Sequence, residues 1–366
     1  MSPSAGKHLP PEITEAILPL LPAKSLGRFK SVSKTWNSFI SDPLFIRTHL
    51  LQSHQTRKLI ALSTTGSLYS IHITETLDTD DNDIPATAKE LSIGSPPIRW
   101  KEILGSCNGL VLAKDESDTI FLMNPTTKEL WKVPLCPFVP PPDEEEVVYV
   151  MYGFGYDSST DDYKILSISF WDPHNMQHDI KEAFECVYSL RNNLWRKLPE
   201  HDHSVLDGIS GAPINQSLHW ISRSFCIVGF NLATEEFNEM ELPDSDSFHN
   251  GKTMGSDLVD FGGKLGVSMS SEVCTELCVM EEYGVGESWT TVHIPGLEKI
   301  LWPVCLLEGR SREIVFQEKE SKVVYNIDER RFRDVRISGC TSGDVNVFGG
   351  TFVESLESPK RIMIAS

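Results

Sequence analysis

The sequence predicts a mainly β protein with a small α-helical N-terminal domain and a β-propeller-like body of about six blades. Three observations carry that prediction. Apolar periodicity changes from helical to strand-like near Leu59. Beyond that point a strand–turn–strand unit recurs, its last strand opening on an aromatic residue. Before it, short helical stretches broken by prolines form a piece too small to close a core of its own.

In the helical head, Pro10-Pro11 can open a helix, because a first-turn N–H has no partner to lose. Ile13, Ile17 and Leu18, then Leu20 and Leu21, make an apolar stripe; Pro19 should kink or end the helix and Pro22 stops it. A second helical stretch is expected from Lys24 to Phe39, with Val32, Trp36, Phe39 and Ile40 on one face. Asp42 then serves as N-cap and Pro43 as first helical residue, with Leu44, Phe45 and Leu50 expected inside. The segment holds no cysteine and no metal cluster. Each large apolar side chain contributes roughly 1.5–3 kcal/mol when buried, so this surface must be covered, either by the rest of the chain or by another protein.

In the body, the unit reads GLVLAKDESDTIFLMNPTTKELWKVP (Gly109–Pro134), then ECVYSLRNNLWRKLP (Glu185–Pro199) and SLHWISRSFCIVGFNLATEEFNEMELP (Ser217–Pro243). Two further copies span Lys264–Pro295 and Glu313–Ile337. The aromatic slots are Trp131, Trp195, Phe237, Trp289 and Phe332, with Trp100 expected in the same slot of a first copy. No unit can bury its face alone, so neighbours must close a ring. Ring closure is expected to pair Leu59–Leu62 with the C-terminal Arg361–Ala365; the competing architecture is two packed sheets. PLCPFVPPPDEEE (Pro134–Glu146) reads as a solvated acidic loop.

Composition narrows the function classes. The net charge is −19, yet residues 1–56 carry six basic side chains (Lys7, Lys24, Arg28, Lys30, Lys34, Arg47) against three acidic ones (Glu12, Glu15, Asp42), leaving the body strongly acidic. Such a body argues against a nucleic-acid surface, which needs clustered Lys and Arg, and weakly favours basic partners. The longest nearly uncharged apolar run, Val147–Tyr156, is about half of the ~20 residues a membrane span needs. The start, MSPSAGKHLPPE, has no apolar signal region, and RIMIAS at the end has no prenylation cysteine. Eight scattered cysteines form no C-x-x-C; Cys274 and Cys278 share one strand face. Reduced thiols and a cytoplasmic and/or nuclear location are expected.

No catalytic residue, cofactor or metal site is nominated. Gly153 and Gly155 in YGFGYD lack the third glycine and helix of a phosphate loop, and read as a bulge or a close strand approach. Asp157 to Asp162 reads as a turn satisfied by its own short polar side chains, as do Asn108-Gly109 and Asn124-Pro125. His174 and His178, in HNMQH, lack the glutamate of a zinc protease; His201-Asp202-His203 has no third-ligand pattern. No G-x-S-x-G elbow occurs.

Leu9–Leu50 resembles an F-box, through Leu9-Pro10, Glu12, Ile17-Leu18, Leu21-Pro22, Lys24-Ser25-Leu26, Arg28-Phe29, Val32-Ser33-Lys34, Trp36, Ile40, Asp42-Pro43-Leu44-Phe45 and His49-Leu50. Pro19 and Gly27 depart from the pattern. GSCNGLVLA (Gly105–Ala113), NPTTKELWKVP, YGFGYDSSTDDYKIL (Tyr152–Leu166), VYSLRNNLWRKL, SLHWI and VESLESP (Val353–Pro359) are similar to the F-box-associated domain of plant proteins of the F-box/kelch-repeat-like group. The resemblance implies an F-box at 1–56 that docks on a Skp-family adaptor and, through it, a cullin. It implies a substrate-binding β domain at 57–366 that holds a target protein for ubiquitination, without chemistry of its own. The adaptor face is then expected to include Leu9, Pro10, Ile13, Ile17, Leu21, Leu26, Val32 and Trp36, with Lys24, Arg28, Lys30 and Lys34 steering onto an acidic adaptor. The rivals are a propeller enzyme with a helical cap and an F-box scaffold acting outside ubiquitination.

Overall fold

The computed structural model describes residues 11–52, 57–73, 83–138, 147–172, 183–199, 206–222, 226–244, 255–271, 274–295, 301–307, 312–318, 321–340 and 345–364. The head comes first: α1 (Pro11–Ile17) tightens into a 3₁₀ turn at Leu18–Leu20, followed by α2 (Ala23–Phe29), α3 (Lys34–Ile40) and α4 (Pro43–Gln52). Pro19 sits in the 3₁₀ turn and Pro22 caps α2, so the prolines end the first helix as expected. The stretch expected as one helix from Lys24 to Phe39 is two. The Ser31 hydroxyl bonds the Arg28 carbonyl at the end of α2, and the Ser33 hydroxyl accepts from Trp36 N at the start of α3. Side chains that compete with the helix ladder break it there.

The described strands form six four-stranded antiparallel blades. Blade 1 contains β1 (Lys58–Ser63), β2 (Leu68–Ile73) and β3 (Asp83–Glu90). Blade 2 is β4 (Trp100–Cys107), β5 (Leu110–Asp115), β6 (Ile120–Asn124) and β7 (Glu129–Lys132). Blade 3 is β8 (Val147–Asp157), β9 (Asp162–Asp172), β10 (Ala183–Ser189) and β11 (Leu194–Lys197). Blade 4 is β12 (Leu206–Ile214), β13 (Ser217–Ser222), β14 (Cys226–Asn231) and β15 (Phe237–Glu241). Blade 5 is β16 (Gly255–Phe261), β17 (Lys264–Ser270), β18 (Cys274–Met280) and β19 (Trp289–Pro295). Blade 6 is β20 (Trp302–Leu306), β21 (Glu313–Glu318), β22 (Ser321–Asn326) and β23 (Arg331–Ser338). The last strand, β24 (Val345–Phe352), returns to blade 1 as its innermost strand, and α5 (Pro359–Ile364) ends the described chain.

Six apolar clusters each straddle one pair of neighbouring blades, from Leu62, Leu68, Val111 and Met123 between blades 1 and 2 round to Leu59, Ile84, Val315 and Val324 between blades 6 and 1. A seventh belongs to the head. This is a ring of stacked sheets and not a two-sheet sandwich. Backbone bonds reinforce two joints, β23 with β3 and β8 with β12, both parallel.

Five of the six outer strands carry the expected aromatic, and the register shows why. Trp131, Trp195, Phe237, Trp289 and Phe332 stand directly across from Leu122, Tyr188, Phe230, Met280 and Tyr325 of the third strand. Three of these pairs are ring on ring, at centroid distances of 5.3, 4.8 and 4.6 Å. A cross-strand pair of this kind adds about 0.5–1.5 kcal/mol to the area it buries. Trp100 does not share the slot. It opens β4, the innermost strand of blade 2, and packs edge-on against Phe121. The outer strand of blade 1 is β3, without an aromatic, and it gains β23 as a neighbour instead.

Closure also differs from expectation. β1 pairs with β24, Lys58 opposite Phe352 through Ser63 opposite Val345, and not with Arg361–Ala365. Pro359 occupies the first position of α5, so residues 359–364 run as helix. Gly153 and Gly155 serve close packing and not a bulge: β8 pairs with β9 without a register shift. A Cβ on Gly153 would fall 2.6 Å from Leu218, and one on Gly155 2.5 Å from Leu232, both in blade 4. All eight cysteines are among the described residues and none is in a disulfide. No described helix is long and apolar enough to cross a membrane.

Candidate adaptor-docking surface

The head has two sides. Inward, Leu18, Ala23, Leu26, Ile40, Phe45 and Ile46 form a small core, with Leu21, Phe29, Trp36 and Phe39 packed at its margin. Among the described residues its one member from outside the helices is Leu356, four residues beyond the closing strand β24. Caps hold the short helices: Asp42 Oδ1 accepts from Phe45 N at 3.1 Å, and the buried His49 places Nε2 2.8 Å from the Leu21 carbonyl. Phe29 meets Trp36 edge-on at 5.4 Å.

Outward, Ile13, Ile17 and Leu20 stand at i, i+4 and i+7 along α1 and the 3₁₀ turn, 45, 44 and 82% exposed. Val32, in the break between α2 and α3, is 61% exposed. Exposed leucines also project from α4 at Leu44 and Leu51. Single exposed apolar residues are ordinary on a protein surface. Three at helical spacing on a segment of this size form a stripe that water leaves unfavourable.

Of the residues expected on this face, Ile13, Ile17 and Val32 are exposed. Leu21 and Trp36 are half-buried at the core margin. Leu26 is fully buried and is a core residue of the head, unavailable to a visitor. Its helix turns the Ala23–Leu26 edge inward, a choice that a heptad of mixed apolar residues does not settle by periodicity. Leu9 and Pro10 lie outside the described residues. Leu44, expected inside, is turned out, because α4 instead buries Phe45, Ile46 and His49. Leu20, Leu44 and Leu51 are thus candidates that sequence reasoning did not place on this surface.

Charge around the head is uneven. Lys24 and Lys34 are exposed cations. Lys89 of blade 1 lies close enough to lower the Lys24 pKa by like-charge repulsion. Arg47 of α4 reaches blade 3, 3.8 Å from Asp161 and 5.7 Å from the Tyr156 ring centroid.

The propeller axis holds a cavity of about 1210 Å³, lined by inner-strand residues such as Ile103, Gly211, Leu258, Pro303 and Thr351 with Trp302 at 39% exposure. Its charged lining includes Arg57 and Asp260, paired at 2.7 Å. Among the described residues no three His, Cys, Asp or Glu side chains are grouped to hold a metal. His174, His178, His201 and His203, and the loop 139–146, lie outside the described residues.

Residues 57–356 match the family described as F-box associated beta propeller domain, and residues 7–52 match the family described as F-box-like. The chain belongs to the F-box associated beta propeller family. Its F-box-like segment is the helical head, and its propeller is the family domain. It is similar to the F-box/kelch-repeat protein At3g23880 of Arabidopsis thaliana, 29% identical over 92% of this chain and 94% of that one. The F-box protein CPR1 of the same plant is 26% identical, over 91% of this chain and 86% of that one.

Proposed function

We propose that this F-box protein is a substrate-recognition subunit of a Skp–cullin–F-box ubiquitin ligase. The head docks on a Skp-family adaptor that leads to the cullin, and the propeller holds a target protein. The chain contributes no bond-making step. It raises the effective concentration of target lysines beside a ubiquitin-loaded enzyme. The roles divide at residues 1–56 and 57–366, and the setting is the cytoplasm, the nucleus or both.

The observation that supports this reading is the uncovered stripe of Ile13, Ile17 and Leu20 on a head whose other side is already filled. Among the described residues no propeller side chain covers that stripe, which supports a partner on another polypeptide. Burying the three side chains in an interface contributes a few kcal/mol before the costs of association. The test is titration of purified plant Skp-family adaptor into the full chain by calorimetry. Wild type should bind, and Ile17→Asp should lose most of the affinity while the propeller melts unchanged. Equal binding by both, or by neither, would overturn the reading.

A further inference from the structure

Four body motifs take no part in the docking stripe: Gly105–Ala113, Asn124–Pro134, Tyr152–Leu166 and Val353–Pro359. Remote in sequence, they meet beside the head. We propose that the segment from Val353 to Ile364 is a strap that locks the head onto the propeller in one orientation, with Asn124 and Leu356 as its two positioning anchors.

The propeller end of the strap is built in detail. Asn124 is fully buried at the end of β6. Its Oδ1 caps its own turn, accepting from Thr126 N at 2.7 Å and Thr127 N at 3.2 Å. Its Nδ2 donates across 231 positions of chain to the Ser355 carbonyl at 3.1 Å, and to the Glu357 carbonyl at 2.7 Å. The Asn108-Gly109 turn makes room beside it. Gly109 has φ +81°, and a Cβ there would lie 2.6 Å from the Val353 carbonyl and 2.6 Å from Ser355 Cβ. The Ser106 hydroxyl bonds the Thr351 carbonyl, Ser358 bonds Glu129, and Ile362 packs on the core between blades 2 and 3.

The head end is Leu356, inserted into the head core and 1% exposed. The charged contacts described across the joint are mixed in sign and lie in the open. Arg47 and Asp161 are both about half exposed, and the exposed Lys24 faces the like charge of Lys89 as well as the opposite charge of Glu354 in the strap itself. The polar Asn124 clamp and the apolar Leu356 plug are therefore what fix the geometry. A fixed joint presents whatever the propeller holds at a set distance from the adaptor side. The strap stands on this geometry alone, whether or not the ligase reading does.

The test uses the full chain with donor and acceptor dyes on genetically encoded azide residues at Asn37 and Glu239, both exposed, and reads single-molecule energy transfer. Wild type should give one narrow population. Asn124→Asp keeps the turn-capping oxygens but loses the amide donors and sets a carboxylate against two carbonyls. It should raise a detached, broad population about tenfold or more, with the head core left complete and adaptor titration unchanged. Leu356→Asp should detach the head as well and weaken adaptor binding. A narrow wild-type distribution in Asn124→Asp would overturn the proposal. Should that variant unfold the propeller, Gly109→Ala, which crowds Ser355 from the propeller side and leaves Leu356 in the head core, decides the same question: a broad distribution with adaptor titration unchanged supports the strap and a narrow one refutes it.

Discussion

Replacing Lys164 with methionine tests the charged seam between blades 3 and 4. The Lys164 ammonium lies 2.9 Å from Asp157 Oδ2, 3.0 Å from Glu235 Oε1 and 2.6 Å from the Leu232 carbonyl, with the Lys164 and Asp157 side chains only 8 and 0% exposed. Burial pushes the Asp157 carboxyl up, but bonds from Ser159, Lys164 and Thr160 outweigh it and hold the group well below the usual carboxylate range. Methionine keeps the length of the side chain and removes the charge, leaving Asp157 ionised without its cation. Breaking one side of a buried pair costs about 3–5 kcal/mol. The three remaining donors to Asp157, from Ser159 N, Ser159 Oγ and Thr160 Oγ1, place the expected loss toward about 3 kcal/mol. Urea unfolding followed by tryptophan fluorescence measures it at pH 7. The Lys164→Met/Asp157→Asn double variant should recover part of the loss. A depressed carboxylate stabilises above its unfolded pKa, and that stability disappears as pH falls through the acid range. A loss below about 1 kcal/mol in Lys164→Met would refute the argument, since that is the size of an exposed pair.

Other substitutions probe the head, a buried histidine and the strap. Leu26→Ala should cost the head about 2–5 kcal/mol, measured by hydrogen exchange in α2 and α3, whereas Leu20→Asp should leave that exchange unchanged and impair adaptor binding. His219 is fully buried, with Nδ1 3.1 Å from the Ala212 carbonyl and Nε2 2.7 Å from the Tyr283 hydroxyl, and burial lowers its pKa to about 4. The unfolded chain therefore takes up the proton first, so stability should fall by up to about 3 kcal/mol as pH drops from 6.5 toward 4, and His219→Asn should flatten that slope in the urea midpoint. Gly109→Ala should crowd Ser355 and strain a left-handed backbone, speeding trypsin cleavage at the exposed Lys360 over wild type.

The blade rhythm was legible because each outer aromatic must face a large third-strand partner, so the packing writes itself at regular intervals. Trp100 imitated that rhythm, since a strand opening on tryptophan looks the same whether it lies innermost or outermost. The closing strand was less legible. VNVFGGTF carries two glycines, while the apolar RIMI beyond it offers a stronger strand signal that Pro359 overrides. The head helices were readable from their prolines and caps. Which side of them faces in was not, because Leu26 and Ile17 are both apolar residues on helices of only seven residues, too short for a periodic stripe to choose between them. Leu356 left no periodic trace: a single leucine in VESLESP shows its purpose only when the fold brings it into one cluster with Trp36 and Phe45.

The return of β24 to the first blade has a consequence for biosynthesis. Blade 1 stays open until β24, made after every other described strand, is in place, and the leucine that completes the opening helices follows only four positions later. A chain cut before Val345 therefore has neither a closed ring nor a complete helical core. Completion of both is thereby tied to one short stretch of chain.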